Sequence, residues 1–162
     1  MNKKKIALII MLIVGLTIIF IFSSQSSIKS NNNSNKIVGN TIKVIFKVKD
    51  KKIPSEEIDK IVEKYNYLTR KTAHFLEYLI LSIIICFLLR EFKFSNKNII
   101  ILTSLLCIFV ASIDEINQLY IQDRTGQITD VLIDWFGANV GIAIFFLIKK
   151  EKVLKNKKSD KL

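Results

Sequence analysis

Cysteine, histidine and acidic residues are all scarce in this chain of 162 residues. The two cysteines, Cys86 and Cys107, both fall inside apolar runs. They offer no disulfide framework of the kind that staples a small extracellular domain, and buried thiols in such places are packing residues. His74 is the single histidine. It forms an i,i+3 pair with Glu77, but one imidazole is a thin donor set for zinc, so neither a metal nor a cofactor is expected. Fourteen Asp and Glu stand against 25 Lys and Arg, a formal net charge of +11, yet half the residues are apolar and the mean hydropathy is +0.34. A soluble domain this basic is ordinarily less apolar. The conflict disappears because the apolar residues and the charges occupy different stretches. That segregation excludes a soluble globular domain, a disordered basic tail and a nucleic-acid module. The abundance of Ile, Lys and Asn points to an AT-rich bacterial genome. No internal repeat is present.

Four runs are long and apolar enough to cross a bilayer core about 30 Å thick, which takes roughly 20 helical residues. They are 6–22, 74–89, 99–113 and 129–148. The first follows Lys3, Lys4 and Lys5 and lacks an A-x-A cleavage site, Ser23-Ser24-Gln25 being a poor match, so it is expected to remain as an anchor. Lys3–Lys5, the Arg90–Lys97 hairpin and the tail after Ile148 together hold 13 of the 25 basic residues. The positive-inside rule puts these flanks in the cytoplasm, with both termini inside. The expected fold is an all-α membrane protein of four transmembrane helices, N-in and C-in, forming a single domain over 1–162. Residues 23–72 form an extracytoplasmic segment and 149–162 a basic cytoplasmic tail. No aromatics interleave that tail, which reads as topology signal and lipid contact rather than a nucleic-acid site.

Within the outer segment, Ser23–Ser27 and Asn31–Asn33 read as linker. Ile42, Val44, Phe46 and Val48 alternate with lysines in a strand-like period of two. Pro54-Ser55 opens a helix with Glu56 and Glu57 in its first turn. Its stripe of Ile58, Ile61, Val62, Tyr65 and Leu68 suits an amphipathic helix, lying along the outer membrane surface or packing on the other spans, before the second span.

The polar residues of the spans converge on one level. At about 1.5 Å per residue, Glu77 stands about 20 Å and His74 about 24 Å from Arg90. Asp114 is about 24 Å from Asn98, and Asp134 about 22 Å from Lys149. At 100° per residue, Arg70, His74 and Glu77 share one helix face, as do Asp114 and Gln118, and as do Asp130, Asp134, Gly137 and Gly141. Gly137-x-x-x-Gly141 permits close helix approach. Ionisable groups at such depth are expensive and default to function. The competing expectation is a set of salt-bridge latches in which Arg70, Lys71, His74 and Arg124 pin the acids. Trp135 and Tyr78 read as interface or packing aromatics. Five acids (Glu77, Asp114, Glu115, Asp130, Asp134) against Arg70, Lys71 and Arg124 leave surplus negative charge. The surplus requires a charged His74, a protonated acid or a bound cation.

The sequence Arg70-Lys71-x-x-His74-Phe75-x-Glu77-Tyr78 is followed by Ser112-x-Asp114-Glu115-x-x-Gln118, then by Arg124, Asp130-Val131, Asp134 and Gly137-x-x-x-Gly141. This pattern resembles the VanZ-like family of small bacterial integral membrane proteins. It includes a first span closing in Phe-Ser-Ser-Gln and leaves out the long segment 26–62. Where the family often carries Asn, this chain has Asp134, which keeps an acceptor and adds an acid. The resemblance implies a cell-envelope role, since the namesake is associated with low-level teicoplanin resistance.

The resulting expectation is a multi-pass protein of the bacterial cell membrane acting at the outer face on a lipid or lipid-linked cell-wall precursor, thereby lowering glycopeptide access. The expected partners are membrane lipids or such a precursor, with no nucleic acid; no protein partner is indicated. The alternatives are an intramembrane enzyme on a lipid-phosphate head group and a structural partner of another membrane protein. In the enzymatic reading, His74, Glu77, Asp114 and Glu115 are the catalytic candidates. Arg70, Lys71, Gln118, Arg124, Asp130 and Asp134 are then the binding candidates. Whether the protein is an enzyme stays open on sequence grounds.

Overall fold

The computed structural model describes residues 2–25, 32–33, 35–41, 44, 55–121, 124 and 126–159. Four long helices make up the fold: α1 (Lys3–Ser23), α2 (Ser55–Glu91), α3 (Asn96–Gln118) and α4 (Ile128–Ser159). Each contains a stretch long and apolar enough to cross a membrane, at Lys3–Ser23, Leu68–Glu91, Asn96–Gln118 and Ile128–Lys150. The four expected spans are therefore all present, each extending beyond both ends of the run that located it.

Local signals explain the helix ends. The Asn2 side chain caps α1 by accepting from the Lys4 amide, and Ser95 caps α3 by accepting from the Asn98 amide, the usual role of short polar residues at helix starts. Between α2 and α3 the chain turns through Lys93, whose φ of 62° is left-handed.

The expected amphipathic helix does begin at Ser55, but it joins the second span in one continuous helix of 37 residues. At about 1.5 Å per residue that is roughly 55 Å, well beyond a hydrocarbon core of about 30 Å. The helix thus extends the span instead of turning into it, as expected for a stretch without Gly or Pro to break it. Its stripe divides: Ile58, Ile61 and Val62 pack with Val38, whereas Tyr65 and Leu68 are exposed. The residues around Val38, 35–41, are helical. The strand-like alternation over 42–48 lies outside the described residues except for Val44, which is helical.

Helices α2 and α4 form the most extensive contact, with α3 packed on both and α1 at the periphery. The close pairing of α2 and α4 follows from glycine. A Cβ on Gly137 would meet the Phe75 carbonyl oxygen at 2.4 Å, and one on Gly141 would meet Ser82 Oγ at 2.1 Å and the Leu79 carbonyl oxygen at 2.4 Å. Small-x-x-x-small packing of this kind lets two backbones touch. Tyr78, Leu81, Ile85, Cys107, Ala111 and Ala138 form the central core with Ile19, and Cys86, Ile99, Ile142 and Phe145 a second cluster nearer the α2–α3 turn. Both cysteines are buried and free, and Cys86 Sγ lies 3.5 Å from Thr103 Oγ1. Much of the outward surface is apolar, including Ile10, Ile13, Phe20 and Phe109, which suits helices facing lipid.

Side-chain contacts fix which ends share a side. Lys4 pairs with Glu91, and Lys149 Nζ donates to Asn96 Oδ1 at 3.2 Å. The start of α1, the α2–α3 turn and Lys149 of α4 thus gather at one end. At the other end, Asn117 Nδ2 donates to Ser24 Oγ at 3.2 Å, and Lys71 pairs with Asp130. The helices run up, down, up and down, as the paired ends and the short connections after Glu91 and Gln118 require.

Candidate functional site

Helix α3 does not stop at the first acid. It continues to Gln118, so Asp114, Glu115 and Gln118 are all helical and all buried. On α4, Asp130 and Asp134 lie one turn apart and are buried on the face that carries Gly137 and Gly141. On α2, Lys71 is buried, while Arg70, His74 and Glu77 are partly buried. The three faces meet at the end of α1, where Ser23 is also buried. The convergence expected from depth and helical phase is present in space.

The charged groups at this level divide into two sets. In the first, every acid has an internal partner. Lys71 and Asp130 form an ion pair between α2 and α4, their side chains 9 % and 8 % exposed. Glu115 accepts from Gln118 Nε2 at 2.9 Å and from the Gln127 backbone amide at 2.8 Å, tying the loop before α4 to α3. Gly126 permits that approach, because a Cβ there would lie 2.6 Å from the Glu115 carbonyl oxygen. Arg124 Nη1 donates to the Ser23 carbonyl at 2.9 Å and so closes the end of α1.

The second set is drawn together without being satisfied. His74 Nδ1 lies 3.8 Å from Glu77 Oε2 and 4.0 Å from Asp134 Oδ1, too far for hydrogen bonds. Asp134 is completely buried, and among the described residues neither of its carboxylate oxygens has a hydrogen-bond partner. The same holds for His74 Nδ1 and the Tyr78 hydroxyl. Among the described residues, Asp114 has a long contact from Gln118 Nε2 at 3.4 Å and lies beside Ser23. One donor atom each from His74, Asp114 and Asp134 lies within 4.8 Å of the others. Buried polar groups are nearly always paired, and an unpaired one calls for an explanation.

A cavity of about 270 Å³ opens beside this second set. Arg70, His74, Glu77 and Arg124 line it, with Phe22, Gln25 and Thr69. Burial and the nearby Arg70 guanidinium pull Arg124 below the ordinary guanidinium pKa, opposed by Asp114 and Glu115. The lowered value leaves Arg124 charged, since guanidinium does not deprotonate in proteins. Two guanidiniums at one cavity suit an anion, and phosphate above all. An imidazole flanked by carboxylates can accept or donate a proton.

All ten sequence candidates therefore lie at one end of the bundle, but not all at the cavity. Lys71, Asp130, Glu115 and Gln118 serve the helix contacts, whereas Arg70, His74, Glu77 and Arg124 face the cavity, with Asp114 and Asp134 beside His74. Tyr78 was read only as an aromatic, and its packing role holds in the core. The level of its hydroxyl, unpaired among the described residues, was legible from the same arithmetic, one helical turn after His74. Trp135 links α4 to α3 by donating to Ser104 Oγ at 2.8 Å.

A family model described as VanZ/LLP1 matches residues 8–149. No curated protein and no solved structure matches the chain.

Proposed function

The chain belongs to the VanZ/LLP1 family, and on that premise we propose that it binds the phosphate-bearing head group of a lipid or lipid-linked cell-wall precursor at the outer face of the bacterial cell membrane. The observation that carries this reading is the cavity walled by Arg70 and Arg124 at the Ser23 end of the bundle. Guanidinium forks match phosphate oxygens two at a time. The opposite end carries Lys3–Lys5, Arg90, Lys93, Lys97 and Lys149, which supports a cytoplasmic placement for that end and an outward one for the cavity. A protein that occupies a wall precursor there shields it, and lower susceptibility to glycopeptides such as teicoplanin follows from reduced access.

The full-length protein purified with its native lipids tests the reading. Wild type retains a phosphate-bearing lipid or precursor detectable by mass spectrometry, and Arg70→Gln and Arg124→Gln lose it at unchanged helix content. Identical lipids in all three preparations overturn it. A second reading, an intramembrane enzyme on a lipid-phosphate head group, is favoured by one observation: His74 Nδ1 stands between Glu77 and Asp134. His74 would then move a proton at Nδ1, with Glu77 or Asp114 orienting it and the arginines holding the phosphate. Deletion cells separate the two. A changed membrane lipid species indicates turnover, whereas unchanged lipids with altered glycopeptide binding indicate shielding.

A further inference from the structure

We propose that His74, Asp114 and Asp134 bind a divalent cation in the bundle, with Glu77 beside them as a fourth ligand and third oxygen donor. One ligand atom from each of the three lies within 4.8 Å of the others. Ligands held about 2.1 Å from a single ion lie at most about 4.2 Å apart, so small side-chain rotations bring all three onto one centre. The three residues come from three different helices, α2, α3 and α4, which is how helical bundles assemble metal sites.

The second observation is Asp134 itself. It is 0 % exposed and carries two oxygens without a hydrogen-bond partner among the described residues, beside a His74 Nδ1 in the same condition. A fixed imidazolium–carboxylate pair would close to about 2.7–2.9 Å, whereas the observed separation is 4.0 Å. The spacing is that of atoms around a third body. Gln118 Nε2, 3.4 Å from Asp114 Oδ2, supplies the outer contact that orients a ligating carboxylate. The cavity, lined by His74 and Glu77, lets water complete the coordination sphere.

The donor set selects the ion. One imidazole with two or three carboxylates is oxygen-rich, which suits Mn²⁺ or Mg²⁺ more than a thiolate-loving metal, and the imidazole adds preference for the transition ion. Mn²⁺ is therefore the probe. The site adjoins the lipid reading without resting on it: His74 and Glu77 share the cavity with the two arginines, but the ion's own ligands hold it whether or not a head group is bound.

The experiment uses the full chain in lipid nanodiscs of neutral phosphatidylcholine, stripped with chelator and titrated with Mn²⁺. Electron paramagnetic resonance counts bound ions, and spin-echo modulation detects nitrogen ligands. Wild type takes one Mn²⁺ per chain with coupling to one imidazole nitrogen. Asp134→Asn weakens binding by at least the roughly 10- to 100-fold that loss of an outer contact alone produces, and His74→Gln abolishes the nitrogen coupling. Glu91→Gln, at the opposite end, binds as wild type does. Absence of Mn²⁺ binding in wild type, binding without imidazole coupling, or unchanged affinity in Asp134→Asn overturns the proposal. Failure of lipid retention with Mn²⁺ binding intact counts against the head-group reading alone.

Discussion

Asp130 and Asp134 sit one turn apart on the same buried face of α4, yet their surroundings are opposite. Asp130 is locked to Lys71, whereas both oxygens of Asp134 lack a partner among the described residues and lie beside a histidine. The same contrast separates Glu115, held at 2.9 Å by Gln118 and 2.8 Å by the Gln127 amide, from Asp114 one residue before it, whose contact with Gln118 is 3.4 Å. One acid of each pair ties neighbouring segments together, and the other is less well satisfied among the described residues. Depth in the membrane therefore does not decide what a charged residue does; the partner across the helix interface does.

The largest expected effect comes from breaking the locked set. Lys71→Met strands Asp130 in a buried position, and removing one partner of a buried ion pair is strongly destabilising, by about 3–5 kcal/mol. The protein should fall sharply in membrane abundance on immunoblots and unfold at markedly lower temperature in detergent. Gly141→Ala tests the contact on which both sets depend. Its new Cβ meets the Leu79 carbonyl oxygen at 2.4 Å, and because backbone cannot rotate away, overpacking of about 1–3 kcal/mol is expected, seen as a lowered Tm. Lys4→Gln removes a pair whose lysine side chain is 62 % exposed. Exposed pairs contribute little, so abundance and Tm should stay at the wild-type values, in contrast to Lys71→Met.

Much of this was legible from residue spacing. Apolar runs located all four spans, and 100° steps placed Asp130, Asp134, Gly137 and Gly141 on one face, as they are. Two features were not read correctly. The continuity of Ser55–Glu91 was obscured by its switch from charged to apolar composition, although no Gly or Pro interrupts it. The division between locked and open acids was invisible because spacing gives level and face but not the opposing atom. Lys71 and His74 lie within one turn on α2, as Asp130 and Asp134 do on α4, so spacing alone does not say which faces which. Spacing along α2 alone brings Glu77 near His74 as a donor, whereas Asp114 and Asp134 reach His74 from two other helices.

The most direct test of this division takes the open set alone, with Asp114→Ala and Glu77→Ala compared for membrane abundance and for retained phosphate-bearing lipid. The account predicts both variants near wild-type abundance, unlike Lys71→Met, with the lipid lost from each. Disappearance of both from the membrane, to the level reached by Lys71→Met, would show that the open set holds the helices together after all and would contradict it.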